Sequence, residues 1–316
     1  MERDARIWVT GHRGMLGRAL VATLRGQGFS NLVLADRSQL DLTRQHDVEA
    51  WLAESRPEFV FHAAARAGGI GANREYPAQF IRDNLLIEAN VIDAAWRNGA
   101  RKLLFVASTC MYPENVAQPA REEYLMSGPL AHDTEPYGLA KLAGECLCRS
   151  YRRQYGFNAI TVLPANLYGP GDNYDPSSSH VVAALIRRFH EAKISGASTV
   201  TIWGSGAPRR EFLHVEDAAE GLVHLMAHYN DAMPVNLSPG YDISIIELAQ
   251  MIRTLTGAVC DIQLDPTKPD GVLRKMTDTS RLSAAGWTPR ISFQEGLTEA
   301  YRDYLARLGA SAPGTA

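Results

Sequence analysis

The sequence predicts an α/β fold, a doubly wound parallel sheet with a smaller mixed α/β unit interleaved towards the C-terminus. Three observations predict it. Short apolar runs alternate with longer amphipathic stretches through the first half of the chain, the pattern of strands joined by crossover helices. The first run, Arg6-Ile-Trp-Val-Thr10, feeds directly into Gly11-His-Arg-Gly14-Met-Leu-Gly17 and then a helical stretch, Arg18 to Leu24. The 316 residues, 46% of them hydrophobic, supply apolar material for one large unit or two domains.

Glycines three apart, between a strand and an amphipathic helix, suit a dinucleotide. They give a tight turn, close backbone approach to a pyrophosphate, and close helix packing. The free N–H groups and dipole of the helix amino terminus then attract the phosphates. Asn31-Leu-Val-Leu-Ala-Asp36-Arg37 reads as the second strand and its end. An acid at that place holds ribose hydroxyls, whereas arginine suits a 2′-phosphate. The chain offers Asp36, Arg37 and, in the glycine loop, Arg13, so the residues leave NAD and NADP both open. Asp36 also suits a simple strand-ending turn.

Glu58-Phe-Val-Phe-His62-Ala-Ala-Ala65 reads as a third strand, followed by a glycine-rich loop over 66–73. A helix from Asp83 to Asn98 is apolar around much of its circumference and must bury more than one face. Leu103 to Ala107 reads as a buried strand ending at Ser108, and Tyr112 to Pro136 as a long loop over the site. Tyr137 and Lys141 share one face of the helix running from Pro136 to about Tyr155. A nearby ammonium favours the phenolate and lowers the tyrosine pKa, so Tyr137 is a candidate proton donor, with Ser108 on the same substrate oxygen. Ala159–Leu163 is a further strand. The serine-rich stretch before His180 suits a plain loop, an N-cap or an anion site at a helix start. A strand is expected near 261–264, and residues 309–316 read as a flexible tail.

A net charge of −3 gives no electrostatic case for nucleic acid or an anionic membrane. No apolar run reaches transmembrane length and no signal peptide is visible. Four cysteines make no disulfide framework; Cys146, Cys148 and Cys260 read as reduced thiols, and no Cys/His cluster suggests a metal site. These features point to a cytoplasmic protein.

Together, the glycine loop, Ser108-Thr-Cys-Met-Tyr-Pro113, Glu135-Pro-Tyr-Gly-Leu-Ala-Lys141, Asn166-Leu-Tyr-Gly-Pro170, Ser179-His180, Trp203-Gly-Ser-Gly206, Arg210-Glu-Phe-Leu-His-Val215 and Lys268-Pro-Asp-Gly271 carry a resemblance. The chain resembles the extended short-chain dehydrogenase/reductase family, of Rossmann type, and within it the GDP-L-fucose synthase branch. That resemblance implies epimerisation at C3 and C5 and reduction at C4 of GDP-4-keto-6-deoxy-D-mannose. The same chemistry on another GDP-4-keto sugar, or reduction alone, stays open. It implies Ser108, Tyr137 and Lys141 as the reductive set, with Cys110 and His180 as base and acid. It places the cofactor against Gly11, Arg13, Gly14, Met15, Gly17, Asp36, Arg37, Ala64, Lys141, Pro164, Asn166, Leu167 and His180. The sugar nucleotide is expected against Ser108, Cys110, Tyr137, Asn166, Arg188, Trp203, Arg210 and Lys268. NADP(H) is the implied cofactor, with NAD(H) kept open by Asp36. A homodimer through the 83–98 and 137–155 helices is also implied. Residues 1–170 and about 208–235 would form the dinucleotide unit, and about 171–207 and 236–308 the nucleotide-sugar unit. Thr109 and Gly138 depart from the serine and alanine common there.

Overall fold

The computed structural model describes residues 1–268 and 270–311. Its centre is a parallel sheet of six strands in the order β10-β5-β4-β3-β1-β2. Here β1 is Ile7–Thr10, β2 Leu32–Val33, β3 Phe59–His62, β4 Lys102–Val106, β5 Ala159–Pro164 and β10 Val235–Leu237. Strands β1, β3, β4, β5 and β10 are buried along their whole length, as continuous apolar runs in a doubly covered parallel sheet should be. Only β2, at the edge, is half-exposed. It pairs through two residues, so the expected run to Asp36 leaves the sheet early.

Helices cover both faces. α1 (Met15–Gly26) and α7 (Val215–His228) enclose one core, which includes Leu20, Leu24, Phe61, Leu222 and Val235. α2 (Gln45–Ser55), α4 (Pro77–Arg97) and α5 (Glu135–Tyr155) enclose the other, which includes Trp8, Leu52, Ile92, Phe105 and Leu163. α4 starts six residues before the expected Asp83, because Pro77 at its first turn has the helical φ already set.

The smaller unit packs α6 (Val181–Ser195), α8 (Ile245–Thr256) and α10 (Phe293–Ser311) around Ile186, Phe189, Ile252 and Leu297. A parallel pair, β7 (Thr199–Trp203) with β12 (Asp261–Asp265), lies against it. Two further small sheets stitch the units together. β6 (Asn166–Tyr168) pairs with β9 (Phe212–His214), and β8 (Arg209–Arg210) pairs with both β11 (Ile243–Ser244) and β13 (Arg274–Lys275). The division of the chain is more interleaved than the expected boundaries. β10 carries the main sheet past residue 235, and Leu282, from the short helix α9 (Ser280–Ala284), joins the α1/α7 core with Trp287. Of the expected tail, residues 309–311 continue α10, and 312–316 lie outside the described residues.

What matters for function is register. Thr10 pairs with His62, His62 with Phe105, and Val106 with Val162. The carboxyl ends of β1, β3, β4 and β5 therefore stand level, and everything that follows them opens onto one edge. The chain winds from β1 outward to β2 and then back to β3 on β1's other side, so the crevice lies at a switch point, where open α/β sheets bind ligands.

Candidate active site

The glycine loop is shaped for a diphosphate. Gly11 has φ +69°, and a Cβ there would lie 2.9 Å from the Ala64 Cα. A Cβ on Gly17 would meet the Gly11 carbonyl at 2.1 Å, so no larger residue fits without moving backbone. Gly14 caps α1 without a capping side chain, which leaves the first amides of the helix for a ligand. Thr10 secures the neighbouring strand end: its Oγ1 accepts from the Ala64 N–H at 2.9 Å and lies 3.0 Å from His62 Nδ1. A short dinucleotide-binding helix start is thus built in, and the residues present fit the cofactor.

Beside it opens a crevice of about 480 Å³, lined by Gly11, Gly14, Met15, Gly17, Ser108, Cys110, Tyr137, Lys141, Pro164, Asn166, Leu167, His180 and Arg210. Ser108 follows β4 and caps a single 3₁₀ turn, Thr109–Met111, its Oγ accepting from the Cys110 N–H at 3.1 Å. That turn is why serine and cysteine two apart face the same space. Gly138 supports it. An alanine methyl there would meet the Cys110 carbonyl at 2.6 Å, so glycine lets the Cys110 turn sit directly on α5. His180 is the N-cap of α6 and carries no capping bond to its own helix. Its side chain is exposed at the crevice, and partial desolvation there lowers its imidazole pKa. The 66–73 loop, which includes the start of α3 (Ile70–Glu75), brings this region to the cofactor side: Gly69 N–H donates to the Ser178 carbonyl at 3.4 Å. The serine-rich stretch itself is a turn around Asp175, whose carboxylate accepts from the Ser177 and Ser178 hydroxyls.

The electrostatics correct one expectation. Tyr137 was expected to titrate low beside Lys141, but enclosure raises its phenol, with Cys110 and Glu88 adding to the rise and a Ser108 hydrogen bond opposing it. Lys141 is engaged elsewhere. Its ammonium, 5.8 Å from the Tyr137 ring centre, lies 3.1 Å from Glu88 Oε1 and donates to the Val106 carbonyl at 3.1 Å. Glu88 is itself buried, and burial pushes its carboxyl up to about 7 against the pull of Lys141. The signal for Glu88 was available: a carboxylate with Leu85, Leu86 and Ile87 before it and Val91 and Ile92 after it.

A second cavity of about 340 Å³ adjoins the first at Gly11 and Gly14 and is lined by Arg13, Asp36, Arg37, Ser38 and Ala64. Asp36 is held by Ser38, whose hydroxyl and N–H both donate to Oδ1, at 2.5 and 2.9 Å, and by Arg13, Nη2 to Oδ2 2.8 Å. The Ser38 hydroxyl, backbone amides and Arg13 together keep its carboxyl below the usual range. Asp36 thus closes a turn and also lines this cavity.

Arg188, Trp203 and Lys268 do not line either cavity. Arg188 donates to the Thr201 carbonyl, and the Lys268 ammonium lies 5.7 Å from the ring of the exposed Trp203. Arg210 does reach the crevice; burial lowers its pKa, opposed by Cys110 and Asp270. Sequence reasoning also missed Lys275, Asp133 and Thr134 on the crevice wall. Among the described residues one group of possible metal ligands, His214, Glu216 and Glu299, comes together outside the crevice.

Residues 7–237 match the NAD dependent epimerase/dehydratase family. The chain belongs to that family. It is an enzyme of the family, with the Rossmann-type core of the extended short-chain dehydrogenase/reductases. A GDP-L-fucose synthase from Sinorhizobium fredii is 48% identical over 303 residues, 96% of each chain. Among solved structures, a GDP-6-OMe-4-keto-L-xylo-heptose reductase from C. jejuni superposes with a TM-score of 0.94 at 34% identity, covering 97% of this chain and 99% of that one. A GDP-L-fucose synthetase from Naegleria fowleri bound to NADP superposes at 0.89 with 25% identity, covering 99% and 98%.

Proposed function

We propose that the chain is a bifunctional 3,5-epimerase and 4-reductase that converts GDP-4-keto-6-deoxy-D-mannose to GDP-L-fucose with NADP(H). The observation that supports it most is the convergence of Cys110 and His180 with Ser108, Tyr137 and Lys141 on one crevice beside a dinucleotide loop. A pure reductase needs only the last three.

The 4-keto group makes the C3 and C5 protons acidic, so epimerisation needs a base and an acid near those carbons. Cys110 takes the proton and His180 returns one from the other face; thiol and imidazole both titrate within about two units of neutrality in their ordinary states. A bound nicotinamide supplies hydride for C4. Tyr137 donates its proton to the developing C4 oxygen, and its raised pKa keeps it protonated for that task. Ser108 steadies the same oxygen. With the cofactor bound, Lys141 would hold the nicotinamide ribose, Asn166, Pro164 and Leu167 would border it, Gly11, Gly14, Met15 and Gly17 would cradle the diphosphate, and Arg13, Arg37, Asp36 and Ala64 would surround the adenosine ribose.

The GDP end leaves the crevice past Arg210. Gly271 lines the crevice beside it, the preceding residue, Asp270, accepts from the Ser205 N–H at 2.7 Å, and Trp203 with Lys268 stands beyond. This path suits a guanosine diphosphate, with Arg188 behind β7. We also propose a cytoplasmic homodimer. Leu85 and Leu86 on α4 and Leu139 on α5 are exposed together with Tyr155, an apolar face of the kind a second copy covers. Among the described residues no helix is long and apolar enough to cross a membrane.

The test follows NADPH oxidation with GDP-4-keto-6-deoxy-D-mannose and assigns the product by NMR. GDP-L-fucose is expected. A product lacking either inversion would leave only a reductase. Turnover confined to a heptose analogue would favour the second reading, a GDP-4-keto-heptose enzyme, which the 0.94 superposition on a heptose reductase keeps in view.

A further inference from the structure

Glu88 is a buried carboxylate that the mechanism above does not use. It sits on α4 at 1% exposure, and its Oε1 is 3.1 Å from the ammonium of Lys141, which is equally buried. The approach is built into the packing of α4 on α5. A Cβ on Gly144 would lie 2.7 Å from Glu88 Oε2 and 2.5 Å from the Phe105 ring, so glycine on α5 clears the carboxylate's place. Buried ion pairs are often no more stabilising than apolar residues of the same size, so stability alone is a weak reason for this one.

The other titratable groups around it do not substitute for Lys141 as its counter-charge. His62 on β3 is held neutral, its pKa lowered to about 3 by burial and by Lys141. On α5, Glu145 is paired with Arg149, and the Cys148 thiol is raised by burial. Further along α4, Asp83 is taken up by Arg66 and Arg82. Towards the crevice stand Tyr137 and Cys110.

We propose that Glu88 is a positioning residue for the reduction: its carboxylate holds the Lys141 ammonium and offsets the charge that ammonium presents to Tyr137. With Glu88 ionised, its charge opposes that of Lys141 at the phenol. With Glu88 protonated, the ammonium acts unopposed and the phenol ionises more easily. A carboxyl midpoint of about 7 puts this change inside the working range. The inference rests on the reading of Tyr137 as the proton donor.

The test compares wild type with Glu88→Gln, which keeps the shape and a carbonyl oxygen for the Lys141 N–H groups. In the pH profile of kcat for NADPH oxidation, wild type should show a step near pH 7, where the Glu88 carboxyl changes charge beside Lys141. In Glu88→Gln that step should vanish, with KM for NADPH within about threefold. Glu88→Asp, which restores a carboxylate, should bring it back. Coincident profiles for wild type and Glu88→Gln would overturn the proposal. A titration that needs neither substitution nor substrate guards against a misfolded variant. In wild-type protein the ¹⁵Nζ resonance of Lys141 should show a step at the midpoint of the Glu88 ¹³Cδ signal, and no step would also overturn it. Absence of turnover in wild type would instead count against the functional reading and leave the NMR result to decide this one.

Discussion

Two ion pairs stand at opposite ends of the same cleft at nearly the same separation. Lys141 and Glu88 are 3.1 Å apart, Arg13 and Asp36 2.8 Å. Their surroundings differ entirely. The side chains of the first pair are 2% and 1% exposed, whereas Arg13 is 75% exposed. Coulomb energy scales inversely with the local dielectric, so the enclosed pair shapes its neighbours while water screens the open one. The lesson is that burial, more than distance, assigns the work. The enclosed pair sits where protons move, and the open pair where a cofactor is recognised.

The sharpest test of that division removes the enclosed chemistry. Tyr137→Phe deletes the proton donor and should lower kcat by about 10²–10⁴-fold while NADPH still binds, as measured by fluorescence titration. Tight binding with kcat intact would break the contrast. Cys110→Ser is expected to act on a different step: deuterium uptake from D₂O at C3 and C5, followed by NMR, should slow by about 10²-fold. Unchanged uptake would remove Cys110 from the epimerisation.

A third carboxylate sharpens the comparison further, since it is buried without an ion-pair partner. Glu211 accepts from the N–H and hydroxyl of Thr277, at 2.8 and 2.7 Å, and burial raises its carboxyl to about 7 from an ordinary 4.5. The folded state therefore holds its proton more tightly than the unfolded state. Stability from this group is full below about pH 4.5 and is lost as pH rises through about 7. Urea midpoints should fall across that window in wild type, by roughly 1–3 kcal/mol of unfolding free energy, and Glu211→Gln should flatten the fall. Parallel curves for the two proteins would show that Glu211 titrates normally.

Much of this was legible in the sequence because it is local. Strand-to-glycine-loop-to-helix is a contiguous pattern, and the Ser108–Cys110 spacing becomes a single capped turn. The residues the sequence hid depend on packing between distant segments. Glu88 meets Lys141 only when α4 lies on α5, and a helical pattern does not say which neighbour a buried carboxylate finds. The Tyr137 shift went the wrong way for the same reason: four-residue spacing put Lys141 on its face but said nothing of how far distant segments enclose the phenol, or of the Cys110 and Glu88 that add to the rise. β10 likewise completes the sheet from a segment with little local signal, three buried residues long.

The smallest effect belongs to the open end. Asp36 lies in the turn beyond β2 and lines the second cavity, the space expected for the adenosine ribose, where an acid favours ribose hydroxyls over a 2′-phosphate. Arg13, the side chain best placed to meet that phosphate, is held on Asp36 instead. Asp36→Ser should remove the repulsion and release Arg13 at once, so kcat/KM for NADPH relative to NADH should rise, by about tenfold at low salt. Because this pair is open to water, the gain should shrink as sodium chloride is raised towards 0.5 M, where screening acts within a few ångströms. The step near pH 7 governed by Lys141 and Glu88 should stay where it is over the same range. A cofactor preference that ignores salt, or a buried step that follows it, would mean that exposure does not separate the two pairs after all.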